Sequence, residues 1–194
     1  MNRRMGAVLA VAMLASGCGY NNIQTYDEQA SAAQGQIETQ IQRRADLIPN
    51  LVSTVKGYAQ HEETIFTEVA NARSRLLSAK GGGDPEAMAN ANAQMSGALG
   101  RLLAISENYP QLKADANFRQ LQDELTGTEN RIAVARTDYN DAVRQYNTFI
   151  RQFPTSLTAK VTGAKQRKYF EVTDPAMRGG PPSVDFSKPA PTTR

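Results

Sequence analysis

The chain has no tryptophan, a single cysteine and a single histidine in 194 residues. One cysteine cannot build a disulfide framework, and together with one histidine it cannot supply the ligands of a zinc finger or an iron–sulfur centre. A strong excess of one charge is also missing: 22 Lys and Arg stand against 19 Asp and Glu. Arg3 and Arg4 lie in the first 17 residues, which contain no acid, so the rest of the chain holds 20 basic and 19 acidic residues. Residues 19–159 carry 13 basic and 16 acidic groups, and the segment from Lys160 onward carries seven and three. A slightly acidic body with a weakly basic tail lacks the electrostatic footprint of a nucleic-acid binder, so no nucleic-acid partner is expected. No motif implies a cofactor or a metal.

Long hydrophobic runs are scarce too. The one near the N-terminus, Met5 to Leu14, follows the basic residues Arg3 and Arg4 and is too short to span a membrane permanently. It leads through Ala15-Ser16-Gly17 directly into Cys18. This arrangement resembles a bacterial lipoprotein signal peptide with its lipobox, although Leu14 stands four residues before the cysteine where such signals favour three. The resemblance implies removal of residues 1–17, diacylglycerol on the Cys18 thiol and acylation of the new amino terminus. The competing readings are an ordinary secretory signal cut near Ser16-Gly17, which leaves a free thiol, and a retained anchor. Gly19 occupies the position where an aspartate commonly retains lipoproteins at the inner membrane. In a cell with two membranes the expected site is therefore the outer one, facing the periplasm.

The remainder reads as helix almost throughout. Ile23, Tyr26, Ala30, Ala33, Ile37 and Ile41 recur at three- and four-residue steps, and a second run extends from Ile48 to Leu77. Pro49 either separates two helices or bends one. Asp84-Pro85-Glu86 is a helix start, with a capping carboxylate, proline in the first turn and an acid at the positive end of the dipole. The following stripe, Met88, Ala91, Met95, Ala98, Leu99, Leu102, Leu103 and Ile105, runs to the break at Tyr109-Pro110. The last stripe is close to a strict heptad: Phe118, Leu121, Leu125, Thr128, Ile132, Ala135, Tyr139, Ala142, Tyr146, Phe149 or Ile150, and Phe153. A helix from Leu112 to Phe153 would be roughly 60 Å long. These lengths predict an all-α, elongated, antiparallel four-helix up-and-down bundle over residues 18–156. Gly127 marks a bend or a close helix approach within the last helix. A short irregular C-terminal tail, residues 157–194, should follow, disordered from about 175, because five of the nine prolines fall in the last twenty residues. Within that tail, Lys168 to Val172 either packs back on the bundle or serves as a docking peptide.

Several residues carry a resemblance. Arg43-Arg44-Ala45-Asp46-Leu47-Ile48-Pro49-Asn50-Leu51-Val52, Thr54 to Ala59, His61-Glu62 and Val69 to Arg73 are similar to the signature of the LemA family. So are Arg101 to Pro110, Leu112 to Ala114, Thr128-Glu129-Asn130, Ala135-Arg136, Tyr139-Asn140 and Tyr146-Asn147. The resemblance covers residues 20–153 and implies an antiparallel four-helix bundle held at a bacterial membrane. Many members keep a spanning N-terminal helix, whose place a lipid on Cys18 would take here.

The polar motifs have plain readings beside chemical ones. His61-Glu62-Glu63-Thr64-Ile65 lacks the second histidine of a zinc protease helix, which would have to stand at Ile65. Gly81-Gly82-Gly83-Asp84-Pro85 lacks the Lys and Ser/Thr of a phosphate loop and is a turn. Glu62, Glu107 and Glu129 could be drawn together as an acid–base set, the remote enzymatic reading. Arg44, Asp46 and Asn50, with Asn130, Arg136, Asn140 and Asn147, form an interhelical polar strip that fixes register, a partner-binding strip or the lining of a small-ligand pocket. The expected role is that of a non-enzymatic lipoprotein: an adaptor tethered to the membrane through lipid on Cys18 and binding another envelope protein. The alternative is a self-associating structural or membrane-remodelling scaffold, a homo-oligomer.

Overall fold

The computed structural model describes the backbone of residues 3–174 and the side chains of residues 19–174. The Cys18 thiol and the tail beyond Asp174 lie outside the described residues. The chain is all-helical, with no strand among the described residues: α1 Arg3–Lys56, α2 Glu63–Gly82, α3 Pro85–Ile105, α4 Pro110–Ala114, α5 Ala116–Phe149 and α6 Thr155–Thr162.

Pro49 does not divide the first helix. The buried positions of α1, Ile37, Ile41, Ala45, Ile48, Leu51 and Val55, continue through it on one face. Proline has no amide hydrogen, so the carbonyl four residues earlier, Ala45, loses its helical partner. Arg73 on α2 replaces it, donating from Nε to the Ala45 oxygen at 2.7 Å. The break falls instead at Gly57, where the Gly57 amide is shared between the Ser53 and Thr54 carbonyls and the next two amides both turn back to Val55. The run expected from Ile48 to Leu77 is therefore two pieces, the end of α1 and α2.

The next boundaries follow local chemistry. Gly83 ends α2 in the left-handed region at φ 66°, a conformation that costs glycine nothing. Asp84 caps α3, accepting from the Glu86 amide at 3.0 Å, with Pro85 in the first turn. A second cap corrects the expected start of the last helix: Asp115 accepts from the Phe118 amide at 2.9 Å, so α5 begins at Ala116 and the residues before it form the separate short α4. With 34 residues α5 is about 51 Å long. Phe118, Leu125, Thr128, Ile132, Ala135, Tyr139, Val143 and Tyr146 are its buried stripe. Phe153, expected at the end of that seam, is instead 82% exposed because the chain turns away after Phe149. Gly127 makes no close helix approach, since a Cβ there would meet only the Arg131 side chain at 3.6 Å.

Cross-helix contacts fix the directions. Tyr26 stacks at a tilt on Phe149 with centroids 5.0 Å apart, Arg44 pairs with Glu129, and Tyr58 donates to Asp115, so α1 and α5 run antiparallel along most of α5. Gln34 bonding to the Gly83 carbonyl and Arg73 to that of Ala45 make α1 and α2 antiparallel. Glu68 with Arg101 and Arg75 with Gln94 do the same for α2 and α3. One large apolar core joins α1, α2, α3 and α5, and a smaller cluster of Ile23, Tyr146, Ile150 and Ala159 closes one end with α6. Among the described residues no helix is long and apolar enough to cross a membrane.

Candidate functional site

Two polar constructions stand out, one at the middle of the molecule and one along the C-terminal half of α5. At the middle, Arg44 is 4% exposed. Its guanidinium donates to Asn92 Oδ1 at 2.8 Å and Ser96 Oγ at 3.1 Å on α3 and pairs with Glu129 on α5. Burial holds its pKa below the ordinary arginine value and Glu129 opposes the shift. Arg44 thus ties three helices at one level. Asn92 stands four residues after Met88 on the apolar stripe of α3; a polar residue at such a position was the signal that could have found it.

The second construction holds the segment after α6. Gly163, in the left-handed region at φ 73°, ends that helix and the chain then runs extended to Asp174. Asn147 accepts the Arg167 amide at 2.9 Å and donates to the Arg167 carbonyl at 2.9 Å. Asn140 does the same for Phe170, at 2.8 and 3.3 Å. Between them the Tyr139 hydroxyl donates to the Lys168 carbonyl at 2.9 Å. Further along, Asn90 on α3 accepts the Thr173 amide at 3.0 Å and donates to the Thr173 hydroxyl at 3.0 Å. Seven residues of helix rise about 10.5 Å, and three residues of extended chain cover about 10 Å. Asparagines seven apart therefore meet a strap at every third residue, antiparallel to α5.

Side chains lock the strap sideways. Phe170 is buried in the main core. Arg167 donates to Asp27 Oδ1 at 2.7 Å and Ser31 Oγ at 2.6 Å on α1 and lies 5.9 Å from the Tyr146 ring centroid. Lys168 reaches Asp84 at 2.8 Å and Glu86 at 3.4 Å at the start of α3. The Asp27 carboxylate raises the Arg167 pKa, the Asp84 carboxylate raises that of Lys168, and Lys168 in turn lowers that of Asp84. Burial pushes the Tyr139 phenol up.

Of the strip residues named from the sequence, only Arg44 meets neighbouring helices through its side chain; Asn140 and Asn147 meet the strap. Asp46 is exposed and accepts from Gln42 on its own helix at 2.8 Å. Asn50, Asn130 and Arg136 are exposed. Arg136 and Asn140 line a hollow of about 520 Å³ whose other wall is Phe170, Glu171 and Val172 of the strap. A larger cleft, about 680 Å³, lies between α1 and α2 and is lined by Pro49, Val52, Lys56, Phe66 and Arg73, with Lys56 Nζ 5.1 Å from the Phe66 ring centroid. The three carboxylates of the enzymatic reading are apart: Glu129 pairs with Arg44, Glu107 with Lys113, and Glu62 stands before α2. No group of three His, Cys, Asp or Glu side chains able to hold a metal ion occurs among the described residues.

The chain is 31% identical to the magnetosome proteins MamQ 1 and MamQ 2 of Paramagnetospirillum magneticum over 175 residues, covering 78% of this chain and 64% of each relative. It is 31% identical over 174 residues to the magnetosome protein MamQ of Magnetospirillum gryphiswaldense, with the same coverage. The chain spans less than two thirds of the length of these relatives. Residues 33–186 match the LemA family, and that match takes in both the Arg44 level and the strap. The chain belongs to the LemA family.

Proposed function

We propose that this protein is a membrane-associated component of the bacterial cell envelope that is anchored by lipid on Cys18 and presents a helical rod to another envelope protein. In this reading residues 1–17 are removed and α1, α2, α3 and α5 act as a four-helix up-and-down bundle. Family membership and likeness to three magnetosome proteins support the membrane placement. The sequence Leu14-Ala15-Ser16-Gly17-Cys18 supports the lipid, and Gly19 after it supports the periplasmic face of an outer membrane.

The observation that carries the adaptor role is the continuity of α1. It runs from the anchoring residue to Lys56 with Pro49 accommodated inside it, so its far end stands about 57 Å from Cys18 along the helix axis. A rod of that reach, tied across at Arg44, can offer the exposed flank carrying Asn130 and Arg136 to a partner well away from the bilayer. Cys18→Ser should move the protein from the membrane to the periplasmic fraction; unchanged retention overturns the lipid. Crosslinking in cells followed by mass spectrometry should recover one envelope protein with the wild type and lose it with Cys18→Ser. Recovery of self-crosslinks alone would favour a scaffold of like copies instead.

A further inference from the structure

The last short helix is inside out. In α6 the residues turned toward the protein are Thr155 and Ala159, both buried. Turned to solvent beside Lys160 and Thr162 are two large apolar residues, Leu157 at 58% and Val161 at 88% exposed, and Phe153, four residues before Leu157, is 82% exposed. Single exposed apolar side chains are ordinary on a soluble surface. Leu157 and Val161, one turn apart on a helix whose buried side is small, together with Phe153 in the turn just before it, make an exposed apolar stripe.

Two further observations say what covers it. The first is position. A Cβ on Gly19 would stand 3.6 Å from Thr158 Oγ1, so α6 crosses α1 one residue after the proposed anchor. Tyr20, 44% exposed, lines a shallow hollow with Thr162 and Lys165 at the same end. The second is charge. Residues 142–170 contain no Asp or Glu but hold Arg144, Arg151, Lys160, Lys165, Arg167 and Lys168. Arg144, Arg167 and Lys168 are paired within the protein. Arg151, Lys160 and Lys165 make no ion pair among the described residues and lie within four residues of the stripe along the chain.

We propose that Phe153, Leu157 and Val161 form a second membrane contact that inserts shallowly into an anionic bilayer surface, with Arg151, Lys160 and Lys165 on the lipid phosphates. This rests on the reading that the start of the mature chain lies at a membrane, held there by lipid on Cys18 or by the apolar run before it. An interfacial helix with an apolar face and basic flanks binds through both buried apolar area and attraction to anionic lipid, and stable anchoring commonly takes two such signals. With α6 on the bilayer, the base of the rod has two points of attachment, which limits its tilt.

Cys18→Ser leaves the full chain without cysteine, so Leu157→Cys in that background accepts a single environment-sensitive fluorophore. Val134→Cys, at a position 62% exposed on α5, is the reference. On adding vesicles of phosphatidylglycerol and phosphatidylethanolamine, the label at position 157 should shift to the blue and become shielded from iodide while the label at position 134 stays unchanged. Vesicles of phosphatidylcholine alone should give a smaller shift. In the same Cys18→Ser background, the triple change Phe153→Ser, Leu157→Ser and Val161→Ser should weaken partitioning on the order of tenfold with helicity unchanged, because none of the three is buried. Equal responses at the two positions would mean attachment through the N-terminal run alone and would overturn the proposal. So would a label at 157 already shielded before vesicles are added, which would assign the stripe to the chain's own tail. Retention of Cys18→Ser in cells, lost on adding the triple change, would sink the lipid and leave this contact standing.

Discussion

The two halves of α5 carry the same kind of sequence and do different work. Both set an apolar stripe at heptad spacing beside polar flanking residues. In the first half the stripe of Phe118, Leu125 and Thr128 packs into the main core, and the flanking Glu129 reaches across to the buried Arg44. In the second half Tyr139 and Tyr146 are buried in the same stripe, but the flanking Asn140 and Asn147 hold an extended peptide. The difference lies in the side chain. A carboxylate only accepts, so Glu129 can answer a cation; an amide both donates and accepts, so one asparagine can satisfy both the N–H and the C=O of a single residue. A heptad therefore encodes more than helix-to-helix packing when its flank is asparagine and a strap is available in the same chain.

The comparison is broken most severely in the first half. Glu129→Ala leaves Arg44 buried with two neutral partners and no counter-charge. Removing one member of a buried pair costs about 3–5 kcal/mol, and because the Glu129 side chain is 42% exposed the expected loss is nearer ~2 kcal/mol. Arg44→Met removes the charge and keeps volume, and should stay within about 1 kcal/mol of the wild type. Urea unfolding of the two variants decides it: equal losses would mean that Arg44 stabilises by more than its pairing with Glu129.

In the second half the largest effect should come from Phe170→Ala. Truncating a core phenylalanine costs about 3–5 kcal/mol where the site cannot relax. Here the strap can detach and cap that cost, so the expected global loss is about 2 kcal/mol. Hydrogen exchange should show the Arg167 and Phe170 amides unprotected while those of Leu125 and Ile132 remain slow. If all four lose protection together, the strap is part of one cooperative unit with the first half and the distinction fails.

Asn147→Leu should do less, about 1–2 kcal/mol, because the Arg167 amide and carbonyl it abandons can recover water. Asn147→Asp sharpens the point about donors and acceptors. It keeps an acceptor for the Arg167 amide but sets a carboxylate against the Arg167 carbonyl. Exchange at Arg167 should accelerate in both variants, and a protected Arg167 in Asn147→Asp would show that the amide's donor is dispensable.

The first half was the more legible of the two in the sequence. The stripes, the Asp84-Pro85 start and the all-helical class followed from spacing and caps, which are local. Pro49 was ambiguous because its effect depends on whether a distant donor, Arg73, meets the freed Ala45 carbonyl. Asp115 was missed as a cap since the apolar pattern from Leu112 passes straight through it. The polar strip was the least legible part. Residues at one spacing divide among helix, strap and solvent according to which element lies opposite, and the strap returns from 20 to 30 residues away. A clue was available in the match between Asn140 and Asn147, seven apart, and Arg167 and Phe170, three apart.

Alkali offers the gentlest separation of the halves. Burial raises the Tyr139 phenol above its ordinary 10.0, and the neighbouring Asp84 carboxylate raises the Lys168 ammonium above 10.5. Groups whose folded pKa is raised contribute stability that is fully present below the unfolded value and is lost as pH climbs through the folded one. Both groups fasten the strap: the Tyr139 phenol of α5 holds the Lys168 carbonyl, and the Lys168 ammonium holds Asp84 and Glu86. Asp84, held below its usual 3.8 by Lys168, sets the acid edge: its contribution is present above 3.8 and lost as pH falls through the lower folded value. Between those edges the strap contacts are intact. With fluorinated phenylalanine incorporated, the ¹⁹F resonance of Phe170 should move as pH passes 10.5, while the methyl resonances of Leu125, buried in the first half of α5 ten residues past the Asp115 cap that the Tyr58 phenol bonds, hold their position. Simultaneous movement of the two would mean that alkali unfolds α5 as a whole, and the strap would then have no independent titration.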